Sequence, residues 1–210
     1  MLRLRRRWVL SWLTAALVLL ALAGTLLFRT QAASLKLDTV AVRNGDILFL
    51  HGRSPRAVVV RLLAAGPDYS HAGILVAGES GLDLIHANPG RNGTGGVVRE
   101  HLGSFLTSGR VSGGAVFRLR DDASTSTAAG SASAAARAFW EQRLPFDNEF
   151  DLATPQALYC TELVWRACLN AGVDLRDGPM RGKARLMPGD LARSGLLVPV
   201  CLLSEDSPGR

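Results

Sequence analysis

Three side chains in this sequence have the types that nucleophilic catalysis needs: His71, His86 and Cys160. A thiol attacks a carbonyl once it has given up its proton, and an imidazole held beside it is a suitable acceptor. Cys160 stands in the run Leu158-Tyr159-Cys160-Thr161-Glu162-Leu163-Val164-Trp165, which predicts an apolar helix entered at or near the cysteine. A helix N-terminus carries unpaired N–H groups and partial positive charge, which favour thiolate over thiol and can bind an oxyanion. Thr154-Pro155 also reads as an N-cap followed by a first-turn proline, and a helix begun there would bury Cys160 in its second turn. Both starts are compatible with the sequence. Tyr159 is a candidate for lining the substrate site or donating a hydrogen bond.

The histidines need a scaffold that brings them together. Ser70-His71-Ala72-Gly73-Ile74-Leu75-Val76 reads as a buried strand, residues 78–81 as a turn, and Leu82-Asp83-Leu84-Ile85-His86-Ala87 as the returning strand. With Ala77 opposite Leu82, His71 falls opposite Asn88 and Gly73 opposite His86. Alternation then puts His71, Gly73 and Leu75 on one face with Asn88, His86 and Leu84. Diagonal neighbours lie ~7–8 Å apart between backbones, so the two imidazoles can meet. A slip of one residue would separate them. One histidine in a strand is more often a core residue than a catalyst; two on one face, with a candidate nucleophile later, bring the two readings level.

Further strands are predicted at 45–50, 97–100, 115–119 and 196–200, and helices at 56–65 and 134–143, with a helical turn at 101–107. The fold class is α+β, a small, mostly antiparallel sheet packed against helices.

The N-terminus bears on the compartment. Arg3, Arg5, Arg6 and Arg7 precede Trp8 to Phe28, 21 residues without a charge, and Arg29 follows. As a helix this run spans ~30 Å, the thickness of a bilayer core. It exceeds the ~7–15 apolar residues of a cleavable signal, so an uncleaved anchor is the favoured reading, with a signal peptide the alternative. Arginines before the span keep the N-terminus cytoplasmic and put the rest in the periplasm or its equivalent. The expected organisation is a stub and transmembrane anchor or signal peptide at 1–29, a linker at 30–39, one domain at 40–203 and a tail at 204–210.

The formal net charge of +6 belongs to the anchor. Of 24 basic residues, five arginines lie within 1–29, leaving 19 against 18 acids. A nucleic-acid-binding face is therefore not expected. Three cysteines, Cys160, Cys168 and Cys201, show no CxxC spacing, and the four histidines no HxxxH or HExxH, so neither a metal nor another cofactor is expected. Cys168 and Cys201 read as buried small hydrophobes, or as a disulfide in an oxidising compartment.

Taken in order, Gly45-Asp46-Ile47-Leu48-Phe49, Asp68-Tyr69-Ser70-His71-Ala72-Gly73-Ile74 and Tyr159-Cys160-Thr161-Glu162-Leu163-Val164 resemble the motifs of the YiiX/YebB-like permuted papain-fold hydrolases of the NlpC-type superfamily. The resemblance runs from about Val42 to Val200. It implies a permuted papain-like fold with the histidine strand beside the cysteine helix, Cys160 as nucleophile and His71 as base. The third polar residue of the family falls at His86-Ala87; relatives use a histidine there as orienter, with Asn88 as the substitute. The reaction implied is amide hydrolysis through an acyl-enzyme, on a peptide, isopeptide or cell-wall substrate. The alternatives are ester cleavage or acyl transfer on a lipid-derived substrate, and an inactive anchored binding module.

Overall fold

A computed structural model describes residues 35–37, 41–63, 69–90, 94–120 and 127–205. The chain divides into Met1–Ala33 and Ser34–Arg210, and every described residue belongs to the second unit. The anticipated span at 8–28 lies outside the described residues. Among those described, no helix is long and apolar enough to cross a membrane.

The described strands are β1 (Leu35–Lys36), β2 (Ile47–Gly52), β3 (His71–Gly78), β4 (Gly81–Asn88), β5 (Gly96–His101), β6 (Val111–Leu119) and β7 (Leu197–Glu205). They form one antiparallel sheet in the order β1-β7-β6-β2-β3-β4-β5. The helices are α1 (Pro55–Leu63), α2 (Leu102–Leu106), α3 (Ala128–Glu141), α4 (Cys160–Asn170) and α5 (Pro188–Leu191). The α+β architecture therefore stands.

β2 is central, and its unbroken apolar run feeds both sides of the sheet. Ile47 and Phe49 enter one core with α3 and α4, while Leu48 and Leu50 enter a second with α2. Asp46, fully buried at the start of β2, accepts the N–H of Arg43 and two bonds from Arg118, so its charge is paired as burial requires. Gly45 before it has φ 88°, and a Cβ there would strike the backbone of Ala129 on α3.

The β3–β4 hairpin has the anticipated register, from Gly78↔Gly81 through Ala77↔Leu82 to Ile74↔Ile85. Several boundaries differ from expectation, among them Val111 rather than 115 as the start of β6, and two bear on the fold. Leu35–Lys36, read as linker, pairs with Ser204 and Glu205, read as tail, because buried Leu35 closes the edge of the second core. The helix expected from 134 begins at Ala128, since Ala128, Ala132 and Ala136 form one small-residue stripe at fourfold spacing against the sheet.

Candidate active site

Cys160 is the first residue of α4, after an extended Tyr159 (φ −91°, ψ 170°). This decides between the two helix starts. Thr154-Pro155 forms a turn instead, because Asp151 Oδ1 accepts the N–H groups of Ala153 and Thr154 and closes that segment locally. The thiol is half-buried, with its sulfur 3.7 Å from Thr161 Oγ1. The first-turn amides of Cys160 and Thr161 and the amide of Ala72 lie near enough to the sulfur to lower its pKa. That last donor is freed by the hairpin. The β3–β4 ladder stops at Ile74↔Ile85 although β3 runs back to His71 and β4 on to Asn88. The thiol therefore lies against the residue next to His71.

The expectation that the helix tip would favour thiolate is corrected. Burial raises the Cys160 pKa, and desolvation outweighs the amide donors that lower it. The resting group is a thiol.

His71 and His86 share a face and touch, with His71 Nε2 2.8 Å from His86 Nδ1 and the rings perpendicular. Gly73 makes this approach feasible: a Cβ there would lie 2.7 Å from Leu84 Cδ1, 2.8 Å from Ile85 O and 3.0 Å from His86 Cβ. We expect Gly73→Ala to push β4 outward, part the imidazoles and lower stability by about 1–3 kcal/mol, measurable by urea unfolding.

The chain of contacts goes on beyond what was anticipated. His86 Nε2 lies 2.9 Å from Glu100 Oε1, and Arg110 grips both Glu100 oxygens at 3.0 and 2.5 Å. Hydrogen bonds from His86 and Arg110 hold the Glu100 carboxyl down at about 2, so it is ionised at neutral pH. An ionised carboxylate only accepts, which places the His86 proton on Nε2. His86 Nδ1 must then accept from His71 Nε2–H, and His71 is left with a bare Nδ1. Burial, then the neighbouring His86 and Arg110, lower His71 to about 3; burial also lowers His86, so both rings are neutral. Phe105 packs edgewise on His86 at 5.3 Å, with the Arg110 guanidinium 4.6 Å above the Phe105 ring.

Sequence reasoning missed Glu100 and Arg110. The pairs Leu84↔Glu100 and His86↔Val98 set Glu100 diagonally beside His86 on the same face. That face could not be assigned beforehand because residues 89–95 join the strands, and a loop of that length does not fix register as a tight turn does.

The other two candidates make hydrogen bonds outside the relay. Asn88 lines the same cavity, but its Oδ1 accepts from Gly90 N–H at 2.9 Å and is directed to its own loop. Tyr159 is buried away from the cavity; its hydroxyl accepts from Leu186 N–H at 2.9 Å, and burial raises its pKa. It holds the entry to α4 in place. None of Cys160, Cys168 and Cys201 is in a disulfide, and burial pushes Cys168 up to about 12.

A cavity of about 1480 Å³ is lined by His71, His86 and Cys160, with Phe105, Phe146 and Phe150 among its apolar walls. No hydrogen bond joins the thiol to the His71 ring among the described residues. Such contacts often tighten only when substrate binds. Among the described residues, no group of three or more His, Cys, Asp or Glu is placed to hold a metal ion.

Glu162, in the first turn of α4, is fully buried. Its Oε1 accepts from Arg166 at 2.7 Å, while Oε2 has no partner. Burial raises its pKa to about 7. A folded-state value above the unfolded one gives stability that is complete below about 4.5 and lost as pH rises through 7. His71 and His86, shifted down, act in the opposite sense as pH falls below 6.5. We expect the urea midpoint of the wild type to drop more between pH 5 and 8 than that of Glu162→Gln, which cannot ionise.

An antiparallel α+β domain with a thiol and paired imidazoles on one cavity is what the fold and site define. The fold is similar to the crystal structure of metalloprotein yiiX from Escherichia coli O157:H7, with a TM-score of 0.59 and 20% sequence identity, over 79% of this chain and 98% of that one. No family model matches the sequence, and no curated protein matches it.

Proposed function

We propose that this chain is a cysteine-dependent hydrolase of the permuted papain type, anchored by residues 8–28 with its domain on the extracytoplasmic side. The observation that carries the reading is the relay Arg110–Glu100–His86–His71, which ends at the cavity where α4 presents Cys160.

His71 Nδ1 takes the Sγ proton as sulfur bonds to the substrate carbonyl carbon. The oxyanion that forms accepts the N–H of Cys160. His71, now imidazolium, is stabilised through His86 by the Glu100 charge. It returns the proton to the leaving nitrogen, the C–N bond breaks, and a thioester remains. Water then attacks the thioester with His71 again taking a proton. The carbon–sulfur bond breaks, the acid departs and the thiol is restored. A neutral resting pair fits this sequence, in which the proton moves during attack rather than beforehand.

The yiiX structure is described as that of a metalloprotein. Here His86 commits one nitrogen to His71 and the other to Glu100, so the pair as arranged does not suit a metal centre.

Amide hydrolysis of a peptide, isopeptide or cell-wall substrate is the first reading. The aromatic cavity walls favour a second, in which an acyl ester of a lipid is cleaved or transferred through the same thioester. Incubation with cell-wall fragments and with phospholipid separates them, since free acyl chains without new amines would eliminate the amidase. An activated acyl ester, quenched and mapped by mass spectrometry, tests the chemistry common to both: one acyl group on Cys160 is expected. A chain that takes up no acyl group is a binding module.

A further inference from the structure

The feature that the chemistry leaves unexplained is α1. Five large hydrophobic residues are exposed among those described, and three of them, Val58 (43%), Val59 (54%) and Leu62 (81%), lie on this one nine-residue helix. Scattered exposed apolar residues are ordinary, but a run along one short helix is not. Residues 52–63 contain Arg53, Arg56 and Arg61 and no acid. Arg53 and Arg56 are exposed, and Arg61 is half-buried with its guanidinium on Gly52 O. An apolar face bordered by arginines matches the make-up of helices that lie in the interface of an anionic bilayer.

Two placements support that occupant. First, α1 forms part of the cavity mouth: Arg56, Val59 and Val60 line the space that Cys160 and His71 line. Second, the sheet register sets the chain's entry at the same end. Gly52, from which α1 departs, pairs with Val111 at the start of β6. That start lies beside the C-terminal end of β7, where Glu205 pairs with Leu35. A span ending at Phe28 leaves residues 29–34 before Leu35, at most ~20 Å of extended chain.

We infer that α1 docks on an anionic lipid surface through Val58, Val59 and Leu62, with Arg53 and Arg56 at the headgroups, and so opens the cavity towards the bilayer. This rests on the reading of residues 8–28 as an anchor, but not on the bond that is cleaved.

The test uses the full chain in detergent, in phosphatidylcholine vesicles and in vesicles that also contain phosphatidylglycerol, with hydrogen exchange followed over residues 57–63. Exchange at least about tenfold slower with phosphatidylglycerol than in detergent is expected, with phosphatidylcholine in between. The double variant Val59→Asp/Leu62→Asp, altered only at exposed positions, should return exchange to the detergent rate. A chain that floats with vesicles but exchanges alike in all three media overturns the docking and leaves the anchor standing. A chain that floats with none overturns both. Protection that grows with protein concentration in detergent would assign the face to a second copy and overturn the lipid.

Discussion

Cys160→Ala should lower turnover of an activated acyl ester by at least about 10³-fold, roughly 4 kcal/mol of transition-state stabilisation, and abolish the acyl adduct. The thiol is the only group at the tip of α4 that can form the thioester, whereas Thr161 beside it lies fully buried. His71→Ala should reduce the rate by a similar factor, and the double variant should be scarcely worse than either single one. The two act as a unit, so the second loss has little left to remove. Fold and cavity should survive Cys160→Ala, since the residue is only half-buried and Tyr159 and Glu162 continue to hold the first turn. Steady-state rates, with the adduct read by mass spectrometry, check this. Full activity in the alanine variant would remove Cys160 from the reaction.

The second large effect lies two hydrogen bonds away from His71. Glu100→Gln should slow the reaction about 10- to 100-fold, the usual loss when a group that orients an imidazole is altered. The reason is the tautomer. Glu100 can only accept, which forces each proton in the relay towards the carboxylate and leaves His71 Nδ1 bare. A glutamine amide can instead donate to His86 Nε2. The proton on His86 then moves to Nδ1, His71 must accept at Nε2, and its own proton shifts to Nδ1, where a base needs a lone pair. The charge that stabilises the imidazolium is lost as well. Arg110→Met, which releases the far side of Glu100, should have a smaller effect of the same sign. Because burial lowers His71 to about 3, kcat/KM should show no acid limb near 6.5 in the wild type. A wild-type limb at 6.5 would mean that His71 is not held neutral, and an unchanged rate in Glu100→Gln would mean that the carboxylate does not set the tautomer.

Both expectations depend on register, where sequence and tertiary structure contributed differently. The short turn between Gly78 and Gly81 makes pairing countable, so the sequence placed His71 and His86 on one face, and the structure closes them to 2.8 Å. Glu100 obeys the same alternation but follows a longer loop, across which counting fails.

The sequence by itself determined the apolar and alternating runs, hence the α+β class, the hairpin and the shared face of its histidines. These are local properties, set by periods of two and of about three and a half residues and by a tight turn. Only the tertiary structure decided that α4 starts at Cys160, that Arg110 and Glu100 complete the relay, that Asn88 and Tyr159 are committed elsewhere, and that the thiol rests protonated. Each of these depends on segments distant in the chain meeting in space: an amide left unpaired where two strands part, a guanidinium from the bend before β6, and the desolvation that packing imposes. Side-chain spacing along the chain carries no record of such encounters.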